Sequence, residues 1–320
     1  MKSMKLLIAY DGSPSSDSAL DDLQFVGLPE TGVEATIISV AEVWLPPADS
    51  NGFNEDEYPN VVKNWTRERR KIAESAVSEA ETFSRHAEER VRTKFPKWQI
   101  SSETKTGSPG WEILAFAEEL GVDLIILGAK GRSALSRVLL GSISQKVLTE
   151  ANCSVRVARG KVKVDPSPNR IQIGFDGSPG SLIAVDSVAS RSWTSGSEVR
   201  LISATQSLVP TTIGRFISPV KNWVEEESNY AATWIETLAE NSIRLLKNSG
   251  LSVKLEIHEG NPKTVLVDSA RRWQADSIFV GAHSYTVLER FLIGSTSAAI
   301  AERAGCSVEV VRSRAKNGDS

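Results

Sequence analysis

Two glycine-rich stretches hold the residues best suited to chemistry. Gly128-Ala129-Lys130-Gly131 is followed, nine residues on, by Gly141-Ser142-Ile143-Ser144. Gly281-Ala282-His283-Ser284 is followed at the same distance by Gly294-Ser295-Thr296-Ser297. A polyphosphate needs several converging N–H donors and no side chain in the way. Glycines at 128 and 131 free the backbone to curl close to phosphate oxygens. Gly141-Ser142 then opens a helix, whose unpaired N–H groups and positive dipole end complete the cradle. The hydroxyls of Ser142 and Ser144 add donors. Each hydrogen bond to a charged group is worth roughly 1.5–3 kcal/mol net, so about four or five offset the cost of association and leave micromolar affinity. Two glycines alone would do no more than end a strand and cap a helix. The full spacing, beside Asp11-Gly12-Ser13, favours a nucleotide site in the first half.

The elements that must position these residues alternate. Residues 5–10 form a continuous apolar run and read as a buried strand. Residues 16–26 are helical, with Ser13 or Ser15 as cap. A second strand at 35–43, a long helix at 64–94 rich in Glu/Arg pairs, and a third strand at 98–106 follow. Next come a proline-initiated helix at 109–120, a fourth strand at 124–127, a helix at 142–150 and a fifth strand at 154–159. Strict alternation predicts an α/β fold with a doubly wound parallel sheet, helices on both faces and strand order 3-2-1-4-5. Ligands bind where that order reverses, outside the carboxyl ends of strands 1 and 4. Asp11 and Gly128 end those strands.

The pattern occurs twice. Asp11-Gly12-Ser13-Pro14 returns as Asp176-Gly177-Ser178-Pro179, and Gly107, Gly128, Gly141 and Cys153 return 153 residues later as Gly260, Gly281, Gly294 and Cys306. This period is too long for a solenoid, so the chain reads as a duplicated domain. The expected division is 1–160, a proline-containing linker at 161–169, a second domain at 170–313 and a tail at 314–320.

With 40% apolar and 24% charged residues and a net charge of −3, the 320-residue chain has ordinary globular composition. No basic stripe recommends nucleic acid as a partner. No apolar run approaches the roughly 18 residues of a membrane span, and the first apolar run is too short for a signal-peptide core. A cytoplasmic location is expected. The two cysteines read as small buried residues before the last strand of each half, and three histidines without Cys-x-x-Cys do not suggest zinc.

Gly-x2-Gly-x9-Gly-Ser, together with a strand ending Ala9-Tyr10-Asp11-Gly12-Ser13, resembles the universal stress protein (UspA) family in its ATP-binding branch. The likeness covers nearly the whole chain, twice. It implies ATP as ligand, with Mg2+ or Mn2+ near Asp11, which lies by the ribose and phosphates. It implies that Val40 meets adenine through its backbone, and that Gly128, Gly131, Gly141, Ser142, Ile143 and Ser144 bind ribose and phosphates. Lys130 occupies a variable position of that loop. In the second half Asp176, Ala204, Gly281, Gly294, Ser295, Thr296 and Ser297 hold the matching positions, and His283 stands where Lys130 does. Ser284 replaces the second loop glycine. If that residue must be left-handed, a non-glycine costs roughly 1–2 kcal/mol, or about 5- to 30-fold in affinity. A weaker or empty second site is therefore expected.

No nucleophile–base constellation can be assembled from Asp11, Lys130 and the serines, so the resemblance points to a regulatory binding module of the stress response. The alternatives are an interaction protein of the same fold without nucleotide, or a slow ATP-hydrolysing enzyme. Family members commonly pair through strand 5. That predicts an intrachain pseudo-dimer, with Arg156 and Glu309 at equivalent positions as a charge pair worth roughly 0.2–1 kcal/mol. A further homodimer and an unidentified protein partner fit the same resemblance. The loops at 44–60 and 207–219 are candidates for a nucleotide-dependent surface.

Overall fold

A computed structural model describes residues 3–43, 60–131, 140–159, 167–205, 218–282 and 293–313. The first half runs β1 (Met4–Ala9), α1 (Pro14–Asp22) with a 3-10 turn (Leu23–Phe25), β2 (Val33–Ala41), α2 (Asn60–Lys94), β3 (Gln99–Thr106), α3 (Pro109–Leu120), β4 (Leu124–Gly128), α4 (Ser142–Glu150) and β5 (Ser154–Ala158). The second half repeats it as β6 (Arg170–Gly174), α5 (Pro179–Ala189), β7 (Glu198–Thr205), α6 (Ser218–Asn248), β8 (Ser252–Glu259), α7 (Pro262–Trp273), β9 (Ser277–Gly281), α8 (Ser295–Arg303) and β10 (Ser307–Val311).

Local signals explain the boundaries. The Ser13 hydroxyl caps α1 by accepting the Ser16 N–H, and Pro14 sits in the first turn, where no intrahelical donor is needed. Gly121, left-handed at φ 58°, ends α3. β4 and β5 are buried along their whole length, which is why they read as unbroken apolar runs around Arg156.

All ten strands form one sheet, ordered β3-β2-β1-β4-β5-β10-β9-β6-β7-β8. Each half has the expected 3-2-1-4-5 order with parallel neighbours. The halves join where β5 pairs antiparallel with β10, and Glu309 lies opposite Arg156. Two separate sheets were not required, because each fifth strand covers the edge of the other.

The two faces differ at this seam. On the α3, α4, α7, α8 face one apolar core runs through both halves, from Ile113 and Val147 across Val155, Val157, Val308 and Val310 to Leu266 and Ile300. On the other face each half keeps its own core, under α1 and α2 or under α5 and α6. Between these two cores lies charge. The Arg156 side chain is wholly buried and donates to Asp22 at 2.5 and 3.2 Å, with Glu309 3.5 Å away. Glu309, equally buried, accepts from Arg191, which also donates to the Val26 carbonyl of the first half. The expected charge pair is thus part of a four-residue network, not a partly exposed edge contact. Its energetics are those of desolvated ions.

Candidate functional site

The loop between β1 and α1 is shaped by two conformational demands. The Asp11 Oδ1 atom accepts the Ser13 N–H at 3.0 Å, and Gly12 takes φ +73° under the Phe83 ring. A Cβ at Gly12 would stand 2.6 Å from that ring. The second half repeats the design: Asp176 accepts from Ser178, and Gly177 (φ +75°) lies under Leu238.

After β4 the chain passes so close to α1 that a Cβ at Gly128 would sit 2.5 Å from the Ser15 backbone. Gly128 is therefore demanded by helix-to-strand packing as well as by any ligand. The Lys130 N–H donates to Ser15 Oγ at 3.0 Å, and the Gly141 N–H donates to the Ala129 carbonyl at 2.9 Å. These two bonds hold both ends of the loop. Ser144 donates to the Gly128 carbonyl at 2.8 Å. Its proton is thus committed to positioning the loop, where the sequence suggested a phosphate donor. The φ of Gly131 lies outside the left-handed region, so its geometry gives no ground for the backbone cost that was made conditional for Ser284. Among the described residues, a Cβ there would meet Asp11 Oδ2, at 3.4 Å. Gly131 thus lines the cavity beside Asp11.

Helix α4 begins at Gly141 with no side-chain cap, in contrast to α1. Its first N–H groups, from Ser142 to Ser144, thus lack the usual side-chain partner.

These pieces enclose a cavity of about 460 Å³. All nine first-half residues singled out in the sequence line it: Asp11 from β1's end, Val40 from β2, Gly128, Lys130 and Gly131 from the β4 loop, and Gly141, Ser142, Ile143 and Ser144 from α4. Sequence reasoning missed the wall that α2 and α3 provide, namely Ala76, Glu79, Ala80 and Phe83, with Pro109 and Ile113. Their helical spacing was visible, but it signals a buried face without saying what that face meets. Among the described lining residues, Asp11, Glu42 and Glu79 carry carboxylates and Lys130 an ammonium. Among the described residues, no cluster of three or more His, Cys, Asp or Glu side chains could hold a metal.

Tyr10, at the end of β1, donates to Asp17 at 2.9 Å, and its phenol is pushed up to about 12, first by burial and then by that bond. Burial likewise pushes the Cys306 thiol up to about 12. Both groups hold protons in the folded state that the unfolded chain releases from about pH 9–10. Their stabilisation is complete below that range and is lost as pH rises toward 12. Urea midpoints measured from pH 9 to pH 12 are expected to fall, and to fall less in Tyr10→Phe and Cys306→Ala.

The second cavity is smaller, about 290 Å³. Asp176, Ala204, Gly281, Gly294, Ser295, Thr296 and Ser297 line it, and Ser297 donates to the Gly281 carbonyl at 2.8 Å. His283 and Ser284 lie outside the described residues, as do most of the loops at 44–60 and 207–219. One difference was missed in the sequence. Gly180 stands where Ser15 does, so the hydroxyl that takes the Lys130 N–H is absent, and Gly281 approaches the Gly180 backbone so closely that a Cβ would lie 2.2 Å from it.

The model of the universal stress protein family matches residues 2–159 and again 168–312. The chain belongs to that family. A universal stress protein of Mycobacterium tuberculosis is 27% identical over 319 residues, 96% of either chain. The universal stress protein YxiE of Bacillus subtilis is 34% identical over 162 residues, 48% of this chain and 98% of its own. In fold, a universal stress protein from Archaeoglobus fulgidus superposes with a TM-score of 0.60 at 18% identity, over 98% of both chains. The tandem architecture is thus shared with a relative matched almost end to end. Among the described residues of this universal stress protein, no helix is long and apolar enough to cross a membrane.

Proposed function

We propose that this universal stress protein binds one adenine nucleotide, as the triphosphate, in the first-half cavity and serves as a nucleotide-dependent binding module. The observation that carries this reading is the convergence of the nine residues from β1, β2, the β4 loop and α4 on one cavity, with an uncapped helix start at its floor. Its volume, about 460 Å³, falls within the roughly 300–1,000 Å³ of small-molecule sites. The α4 N–H groups take the phosphates, the Val40 backbone takes the base, and Asp11 takes the ribose side.

A triphosphate brings several negative charges into a cavity that Asp11, Glu42 and Glu79 also line, so a divalent cation belongs with the ligand. Asp11 is the protein's candidate donor for it, which suits Mg2+: this ion keeps several waters and relies on substrate phosphates for further oxygens. The cation supplies charge neutralisation. Removing it with a chelator is expected to weaken nucleotide binding tenfold or more by calorimetry.

The second half carries the other reading, an interaction domain with weak or no nucleotide binding. Its cavity is smaller and lacks the Ser15 latch. One nucleotide per chain is the expected stoichiometry. The latch itself is testable. Ser15→Ala is expected to lower nucleotide affinity about 3- to 10-fold, the worth of one hydrogen bond, with no change in the β5–β10 seam. Equal affinity in the variant would remove the latch from the account.

The remaining parts of the proposal follow the sequence reading: domains at 1–160 and 170–313 joined as an intrachain pseudo-dimer, a cytoplasmic location, and a homodimer or another protein as partner. ATP turnover is not assigned. A turnover assay with Gly131→Val as control tests that directly.

A further inference from the structure

A third cavity, about 590 Å³, lies at the end of the sheet where β5 finishes and β6, β9 and β10 begin. Both halves build it. Helix α1 contributes Asp21 and Asp22, the 3-10 turn contributes Phe25, and Arg159 follows β5. The second half contributes Arg170, Asp276 and Cys306.

Its charges are unevenly committed. Asp21 is held by Arg90 and by Lys94, the latter at 2.6 Å. Asp22 accepts from Arg156 and from the Ser307 hydroxyl at 2.7 Å. Asp276 accepts the Arg170 backbone N–H at 2.8 Å. The acids are thus already engaged. Of the three arginines that line it, Arg271 pairs with Asp268 at 3.5 Å, and the other two reach backbone carbonyls. Arg159 spends Nη1 on the Ala304 carbonyl at 2.8 Å, its buried Nη2 has no hydrogen-bond partner among the described residues, and the Glu302 charge acts on it without a direct ion pair. Arg170 donates from Nη1 to the Trp273 carbonyl, and its side chain is otherwise exposed. A guanidinium that reaches only neutral carbonyls keeps donors for an anion, and both Arg159 and Arg170 line the cavity. The Cys306 thiol, held protonated by burial, adds no negative charge.

We infer that this seam cavity is a second binding site, separate from the nucleotide cavity, for a small organic anion whose carboxylate or phosphate bridges Arg159 and Arg170 while its apolar part lies against Phe25. Because the two arginines come from different halves, the anion ties the halves together and stabilises the folded chain by mass action.

The test is calorimetric titration of the full chain with succinate and, separately, with inorganic phosphate, alongside thermal unfolding. Circular dichroism checks that each variant folds. Saturable binding that survives Gly131→Val, and that weakens tenfold or more in both Arg159→Gln and the exposed Arg170→Gln, supports the site. Tighter binding of succinate than of phosphate assigns a carboxylate, and the reverse a phosphate. No saturable binding of either anion at millimolar concentration, undiminished binding in Arg170→Gln, or binding lost in Gly131→Val would overturn it.

Discussion

Replacing Arg156 with methionine is expected to destabilise the chain by about 3–5 kcal/mol, read as a shift in the urea midpoint at constant slope. The side chain is fully buried and serves two carboxylates from different parts of the sequence, Asp22 and Glu309. Its loss leaves Asp22, buried beside the seam, with the Ser307 hydroxyl and, among the described residues, no paired cation. Removing one partner of a buried pair costs far more than the pair contributes, because a desolvated charge remains. A surface pair would have cost roughly 1 kcal/mol or less, and a loss that small would contradict the burial seen here.

A double exchange makes the point sharper. Arg156→Glu combined with Glu309→Arg preserves the cross-strand pair and would be nearly neutral if only that pair mattered. In the network it sets a carboxylate against Asp22 and a guanidinium against Arg191, so the exchange is expected to be at least as damaging as Arg156→Met. The same arrangement favours joining of unlike halves. Pairing of two first halves through β5 would bring Arg156 against Arg156, and of two second halves Glu309 against Glu309.

Gly131→Val has the opposite profile, with little effect on stability and a large one on binding. Among the described residues, a Cβ at Gly131 meets Asp11 Oδ2 at ordinary contact distance, and the backbone there is not left-handed. The folded protein therefore accommodates the side chain, and unfolding midpoints should stay within about 0.5 kcal/mol of the parent. The added methyl groups enter the space above the loop, where the proposed phosphates lie, and displace donors as well as volume. A loss of about 100-fold in affinity, the worth of one or two charge-assisted hydrogen bonds, is expected by calorimetry. Gly128→Ala is a useful contrast. Its Cβ would collide with the Ser15 backbone, so it should lower stability and binding together.

These contrasts mark what the sequence could reveal. The cap of α1 and the α3 boundary were legible because each depends on residues within a few positions of one another, such as Ser13 with Ser16, and duplication and strand order because motifs recur along the chain and strands alternate with helices. The nine-residue site was legible because the strand order alone brings Asp11 and Gly128 together. Other features depend on how helices pack. Phe83 over Gly12 and Ser15 against Lys130 join residues 71 and 115 positions apart. Asp22 beneath Arg156 is 134 positions away. Spacing does not encode such contacts. Gly128 illustrates the risk: its close approach to the Ser15 backbone is a packing demand that the motif did not show.

The most direct test of the central claim is calorimetric titration of the purified chain with Mg·ATP, after any co-purified nucleotide has been removed. One site per chain with micromolar affinity, weakened about 100-fold in Gly131→Val, is the expected result. Absence of binding, or binding that Gly131→Val leaves intact, would contradict a nucleotide cradle at this loop.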